Sequence, residues 1–264
     1  MIRILLIAAL TLLPALARAQ SVQQALVDRA ALTVQDIFAM PRPGDPANWL
    51  RRARAVMVCP RVFRIGFIFG VSGGECVLLA RDAAGSWSAP AFYELRSGSF
   101  GLQAGIQDGE TVLMIMSGRA LAAVMDSQFK IGGDASITVA TAGAGVEGDT
   151  TAALRADILA TSLARGLYVS IALNGSLLSS DTDWNRAYYG RDLAARQIVV
   201  QMAANNPGAD PLRAVLTRYG APLAVPVAGT YYPPASGYAP PPQYAPATAQ
   251  PVMPVQQEAL PPPR

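Results

Sequence analysis

Cys59 and Cys76 are the chain's two cysteines, Lys130 is its single lysine, and none of its 264 residues is histidine. That inventory decides which chemistry is open. Without imidazole there is no Ser-His-Asp triad, no Cys-His pair, no HExxH zinc site and no imidazole base. A Schiff base or a phosphate-loop lysine would rest on Lys130 alone, and its flanks, Phe129 and Ile131-Gly132-Gly133, suit neither. Carboxylates remain as acid–base candidates. Glu75, Asp82, Glu94, Asp108 and Glu110 fall at predicted turns or strand ends, where solvated turn chemistry accounts for them. No spacing singles out a catalytic pair or a metal-ligand set. Gly143-Ala144-Gly145-Val146-Glu147-Gly148 spells G-x-G-x-x-G between a predicted strand and a predicted helix. A dinucleotide site also needs an acidic residue closing the next strand, and that strand runs into Asn174-Gly175. The expectation is a protein that is not an enzyme and takes no nucleotide, metal or cofactor.

The basic residues point elsewhere. Arg51, Arg52, Arg54, Arg61 and Arg64 fall in one stretch beside Trp49 and Leu50. Arginine next to an interfacial tryptophan is a footprint for anionic lipid head groups. The competing reading is a solvated helix face whose arginine stems cover apolar surface. The net charge of +3 gives no licence for nucleic-acid binding.

The first 19 residues read as an export signal. Arg3 is a short positive n-region, Ile4 to Leu13 an apolar run, and Ala17-Arg18-Ala19 an A-x-A cleavage site, placing the mature start at Gln20. The apolar run is too short to span a bilayer, and Pro14 and Arg18 prevent its extension. No cysteine sits at the cut, so no lipid anchor is indicated there, and the expected location is periplasmic or secreted, with peripheral membrane association. Arg3 and Arg18 leave with the signal, which takes the net charge from +3 to +1. In an exported chain Cys59 and Cys76 can be bonded, or can be two separate buried thiols.

The elements that must position these residues are set by periodicity. Ser21 to Met40 has helical spacing, with Val22, Ala25, Leu26, Leu32, Ile37 and Phe38 approximating one face. Asp45-Pro46 opens a second helix as N-cap and first helical residue. From Ala55 the period becomes two. Val56 to Cys59 reads as a short strand ended by Pro60, and Phe63, Ile65, Phe67 and Phe69 share one face of the next. Ser72 to Glu75 reads as a turn, Cys76 to Ala80 as the returning strand, Phe100 to Gln107 as a glycine-rich strand, and Asp108-Gly109 as a turn. Asp149 to Arg165 has helical spacing through Leu154, Ile158 and Leu163, Leu167 to Leu173 reads as a strand, and Asp192 to Asn205 as a helix. Asp210-Pro211 and Gly220 bracket a last helix. The fold class expected is α+β: a mainly antiparallel curved sheet or partial barrel with flanking helices, occupying residues 20–220. Residues 221–264 are Pro/Tyr-rich, with only Glu258 and Arg264 charged, a composition that favours polyproline II and disorder. As the alternative role for the whole, this tail would recruit a protein partner through PxxP-like segments, making the chain an envelope interaction module.

Taken together, several segments resemble the SYLF-domain family, found in bacterial exported proteins and in eukaryotic membrane and actin regulators. They are LRRARAVMVCPRVFRIGFIFG (50–70), Gly85 to Pro90, FGLQAGIQ (100–107), KIGGDASITVATAGAGVEG (130–148), SLARGLYVSIALNGSLL (162–178) and NRAYYG (185–190). Trp87-Ser88-Ala89-Pro90 followed by the GLQAG strand is the most specific. The resemblance spans about residues 21–205. It implies a non-enzymatic domain that binds phospholipids, often phosphoinositides or other anionic lipids, at a membrane surface. By position, the membrane contact would fall on the helix from Ser21 and on the Arg51–Arg54 stretch, beside which the residue reading above adds Trp49, Arg61 and Arg64. Actin association, known for some relatives, is not carried over to an exported chain. The family usually has an apolar residue near position 59 and glycine near 76, so cysteine at both favours a Cys59–Cys76 disulfide, which requires their strands to pair.

Overall fold

A computed structural model describes residues 21–39, 46–66, 69–100, 105–126, 128–133, 136–142, 155–164, 167–168 and 175–221. The chain divides into two units, Met1–Pro222 and Leu223–Arg264, and all described residues belong to the first. The expected export signal, the G-x-G-x-x-G of 143–148 and the Pro/Tyr-rich tail lie outside the described residues.

Helix α1, Val22–Phe38, starts where the Ser21 hydroxyl accepts the Gln24 amide at 3.2 Å. Its buried side chains, among them Val27, Ala30, Val34 and Ile37, recur every three or four residues. Helix α2, Pro46–Arg52, leads into four long strands: β1 Ala55–Gly66, β2 Phe69–Ala80, β3 Ala91–Phe100 and β4 Gly105–Ile115. After α3, Gly118–Val124, come β5 Gln128–Lys130, β6 Val139–Ala142, β7 Ile158–Ala164, β8 Leu167–Tyr168 and β9 Leu177–Ser180. Helices α4 Thr182–Tyr189, α5 Ala195–Val199 and α6 Asp210–Gly220 end the described chain. The strands form one curled, half-barrel sheet in the order β5-β9-β3-β2-β1-β4-β7-β6, with β8 on β7, and only β6–β7 is parallel. This is the α+β, mainly antiparallel class that the periodicity predicts.

Side-chain alternation gives the sheet two dry faces. Val56, Val58, Val77, Leu79, Phe92, Val112 and Met114 pack under α1, α2 and α6. Met57, Cys59, Cys76, Leu78, Tyr93, Leu95 and Leu113 pack on the other side against Val124, Phe129, Ile131 and Ile198. Cys59 and Cys76 are fully buried, joined as a disulfide between the paired strands β1 and β2, with Cα atoms 4.1 Å apart.

Several local expectations are corrected. Pro60 does not end a strand: it sits within β1, at a register shift between Val58 and Phe63. Ser72 to Glu75 is not a turn, since β2 runs straight through it. Its glycines serve the bulge instead: a Cβ on Gly74 would stand 2.1 Å from the Arg61 carbonyl oxygen. Phe100 and Ile106 belong to different strands, paired with Phe69 and Ile65 respectively, and Asp108-Gly109 lies inside β4. Ile158 to Ala164 is a strand, not a helix. It pairs with β4 on one edge and β6 on the other, and its side chains enter both cores, Ile158 and Ala160 on one side and Leu159 and Leu163 on the other, so its apolar run carries no alternation. The helix expected over 192–205 shrinks to Ala195–Val199.

Candidate functional surfaces

The arginine stretch that is continuous in sequence is divided in space. Arg51 and Arg52 form the last turn of α2. Arg54 precedes β1 and already joins its ladder, donating its amide to Ile115 and accepting from the Arg81 amide. Arg64 is ten residues further along an extended strand, roughly 30 Å away. Arg61, at the bulge, is ion-paired to Asp108 at 2.8 Å, and that hydrogen bond holds its guanidinium pKa up. Arg61 and Arg64 therefore do not share a surface with Arg51, Arg52 and Arg54.

Trp49 is 8% exposed and packs in the core beneath the helices. The Arg52 guanidinium lies over its ring, 5.8 Å from the centroid, which is the stem-covering arrangement of the competing reading. Helix α1 likewise turns its apolar face to the sheet, leaving only Val22 and Leu32 as exposed large hydrophobics. In this fold Trp49 and the main apolar face of α1 are packed in the core, and Val22 and Leu32 stay exposed.

Two arginines that sequence reasoning passed over complete the cationic edge. Arg81 follows β2 and stacks on Trp87, 4.4 Å from guanidinium carbon to ring centroid. Its fork donates to the carbonyls of Arg51 at 3.0 Å, Leu50 at 3.4 Å and Gly220 at 3.2 Å. It thus ties the C-terminal ends of α2 and α6 together, supplying positive charge where helix dipoles end negative. Burial lowers its pKa from the ordinary arginine value. Arg218, in the last turn of α6, is exposed and lies over the Tyr219 ring. Arg51, Arg52, Arg54 and Arg218 are thereby gathered at one end of the sheet. Neighbouring carboxylates are engaged: Asp82 accepts the Ser86 amide, and Asp157 is held by Arg119. The signal that could have found Arg81 is its spacing from Trp87, which becomes legible only once the bridge between those two residues is known.

Among the described residues no three His, Cys, Asp or Glu side chains are placed to hold a metal ion, and no helix is long and apolar enough to cross a membrane.

Comparison with known proteins places the chain. Residues 96–219, from β3 to the last turn of α6, match the family model described as Ysc84, Las17-binding protein actin regulator. SH3 domain-containing YSC84-like protein 1 of Rattus norvegicus is 27% identical over 175 residues, 66% of this chain and 51% of that protein. Its Xenopus laevis counterpart is 30% identical over 148 residues, 56% of this chain and 44% of that protein. LAS seventeen-binding protein 3 of Saccharomyces cerevisiae is 26% identical over 174 residues, 65% of this chain and 38% of that protein. The chain spans about half the length of the first of these relatives, and less of the other two. Residues 96–219 therefore carry the match to the Ysc84 family, and the relatives that the chain resembles beyond them are YSC84-like proteins and LAS seventeen-binding protein 3.

Proposed function

We propose that this chain is an exported, non-catalytic protein that adheres to anionic phospholipid surfaces through the arginine edge of α2, β1 and α6. The observation that carries the reading is the gathering of Arg51, Arg52, Arg54 and Arg218 around the helix ends held by Arg81. Each basic side chain near an anionic leaflet contributes about 1 kcal/mol, so four give an order of 4 kcal/mol, near a thousandfold in affinity. With Trp49 and the apolar face of α1 in the core, this adhesion is electrostatic rather than insertional, and salt weakens it. The absence of histidine from the sequence supports the non-catalytic part. The buried Cys59–Cys76 bond supports an oxidising, exported location.

A protein partner is the second reading. The family description names Las17 binding, a statement about the relatives that favours such a partner here without assigning it to a segment. The test is co-sedimentation of the full chain with phosphatidylcholine vesicles and with vesicles containing phosphatidylserine. The chain is expected to sediment with the anionic vesicles alone and to be released as ionic strength rises from about 0.1 to 0.5 M. Equal sedimentation with both vesicles contradicts the reading.

A further inference from the structure

The helix-side face of the sheet continues beyond its helices, and it changes character row by row. Val112, Val58, Val77 and Phe92 are register partners across β4, β1, β2 and β3, and they form the last dry row under the helical layer. Two residues further along each strand the same face carries Glu110 on β4 and the directly paired Glu75 and Glu94 on β2 and β3. The next row pairs Asp108 with Phe63, Phe63 with Gly73, and Gly73 with Arg96. The row after that pairs Ile65 with Val71 and Val71 with Gly98. Phe63, Ile65 and Val71 are 39%, 44% and 61% exposed. Three large apolar side chains form a patch on one face of adjacent strands, and among the described residues no helix lies above them, only the Arg61 guanidinium 6.0 Å from the Phe63 ring centroid.

Its border is acidic. Asp36 of α1 joins Glu75, Glu94, Asp108 and Glu110, against Arg61 and Arg96. Arg61 pairs with Asp108 and faces Glu75, and Arg96 pairs with Glu94 at 2.5 Å, so the belt stays net negative. Glu110 faces the fully buried Thr33 of α1, whose hydroxyl favours its charged form. Burial first, and then Asp36, raise the Glu110 pKa above the usual carboxylate value. A cation brought to this belt would offset that like-charge crowding.

We infer that this face docks a basic amphipathic helix, its apolar stripe on Phe63, Ile65 and Val71 and its lysines or arginines toward Asp36, Glu75 and Glu110. Charge complementarity decides the occupant. An anionic bilayer would meet the carboxylate belt and be repelled, whereas a cationic helix is attracted by it. Geometry agrees: a helix laid here continues the layer begun by α1, and Gly98 leaves open space for its backbone. The inference stands on this face alone and does not depend on the arginine edge at the other end of β1.

The probe is an 18-residue synthetic Leu/Lys amphipathic helix, titrated into the full chain by fluorescence anisotropy, with the Leu/Glu peptide of the same pattern as control. The Leu/Lys peptide is expected to bind and the Leu/Glu peptide not to. Ile65→Ser with Val71→Ser should weaken binding at least about tenfold while leaving the thermal midpoint in place, because both side chains are exposed. Glu75→Gln with Asp36→Asn should weaken binding and flatten its salt dependence. Failure of the Leu/Lys peptide to bind, equal binding of the two peptides, or affinity unchanged in the Ile65/Val71 variant overturns the inference. Loss of vesicle sedimentation in that variant with peptide binding intact overturns it too, and gives the face to the membrane.

Discussion

Asp157 shows how one side chain can hold an irregular region to the sheet. Its carboxylate takes a two-pronged contact from Arg119, at 3.1 and 2.9 Å, and accepts from the Thr138 amide and hydroxyl, both at 3.0 Å. The Arg119 hydrogen bond dominates and holds its pKa well below the usual carboxylate range. A carboxyl whose folded-state pKa is depressed contributes stability above its unfolded pKa, and that contribution is lost as the pH falls through the folded one. Asp157→Asn is therefore expected to cost about 1–3 kcal/mol at pH 7, with the gap from the parent protein narrowing as the pH drops below 4. Urea unfolding of both proteins at pH 7 and pH 3 measures this, and a gap that widens in acid would refute the assignment. Nothing in the sequence marks Asp157. It lies within the stretch whose spacing reads as a helix, and only the β4–β7–β6 pairing reveals that its neighbours form a strand.

At the level of elements, Arg81 joins three parts of the chain that are far apart in sequence: the end of α2, the end of α6 and the Trp87 turn. Arg81→Ala removes donors from three helix-end carbonyls along with the stacking on Trp87. The expected cost is about 2–4 kcal/mol, with faster amide exchange in the last turns of α2 and α6, and Arg81→Lys should recover only part because it lacks the planar fork. Uniform exchange rates across the variant would show that the clasp is not what secures those helix ends. Helices α1, α2 and α6 were legible because apolar spacing, Ser21, Pro46 and Pro211 are local signals. The strands were legible in type but not in extent. Gly73-Gly74 imitates a turn, Pro60 imitates a strand end, and Asp108-Gly109 imitates a hairpin, yet each is accommodated inside a long strand near the bulge that relates β1 to β2 and β4. Turn-forming residues report what the backbone can do locally, whereas register is decided across strands. The same reason explains the carboxylates. Glu75, Glu94, Asp108 and Glu110 read as scattered turn residues, and strand pairing assembles them into one belt.

For the molecule as a whole, strand β1 has a cationic end and an acidic, apolar end. Arg51, Arg52, Arg54 and Arg218 gather where α2 and α6 finish, while Phe63, Ile65 and Val71 lie with the carboxylate belt at the far side of the bulge. The fully buried disulfide lies between these two ends, next to that bulge, closing a separation of 17 residues, a loop length for which such a bond contributes about 3 kcal/mol. The two ends correspond to the proposed contacts, the cationic one with an anionic surface and the acidic one with a cationic helix. The most direct test of the first contact is a variant carrying Arg51→Gln, Arg52→Gln, Arg54→Gln and Arg218→Gln, compared with the parent on phosphatidylserine-containing vesicles across a salt series. The parent should bind with an affinity that falls steeply with ionic strength, and the variant should lose about a thousandfold at low salt and show little further salt dependence. Retained binding by a variant that unfolds at the parent's urea midpoint would contradict the membrane role proposed for this edge.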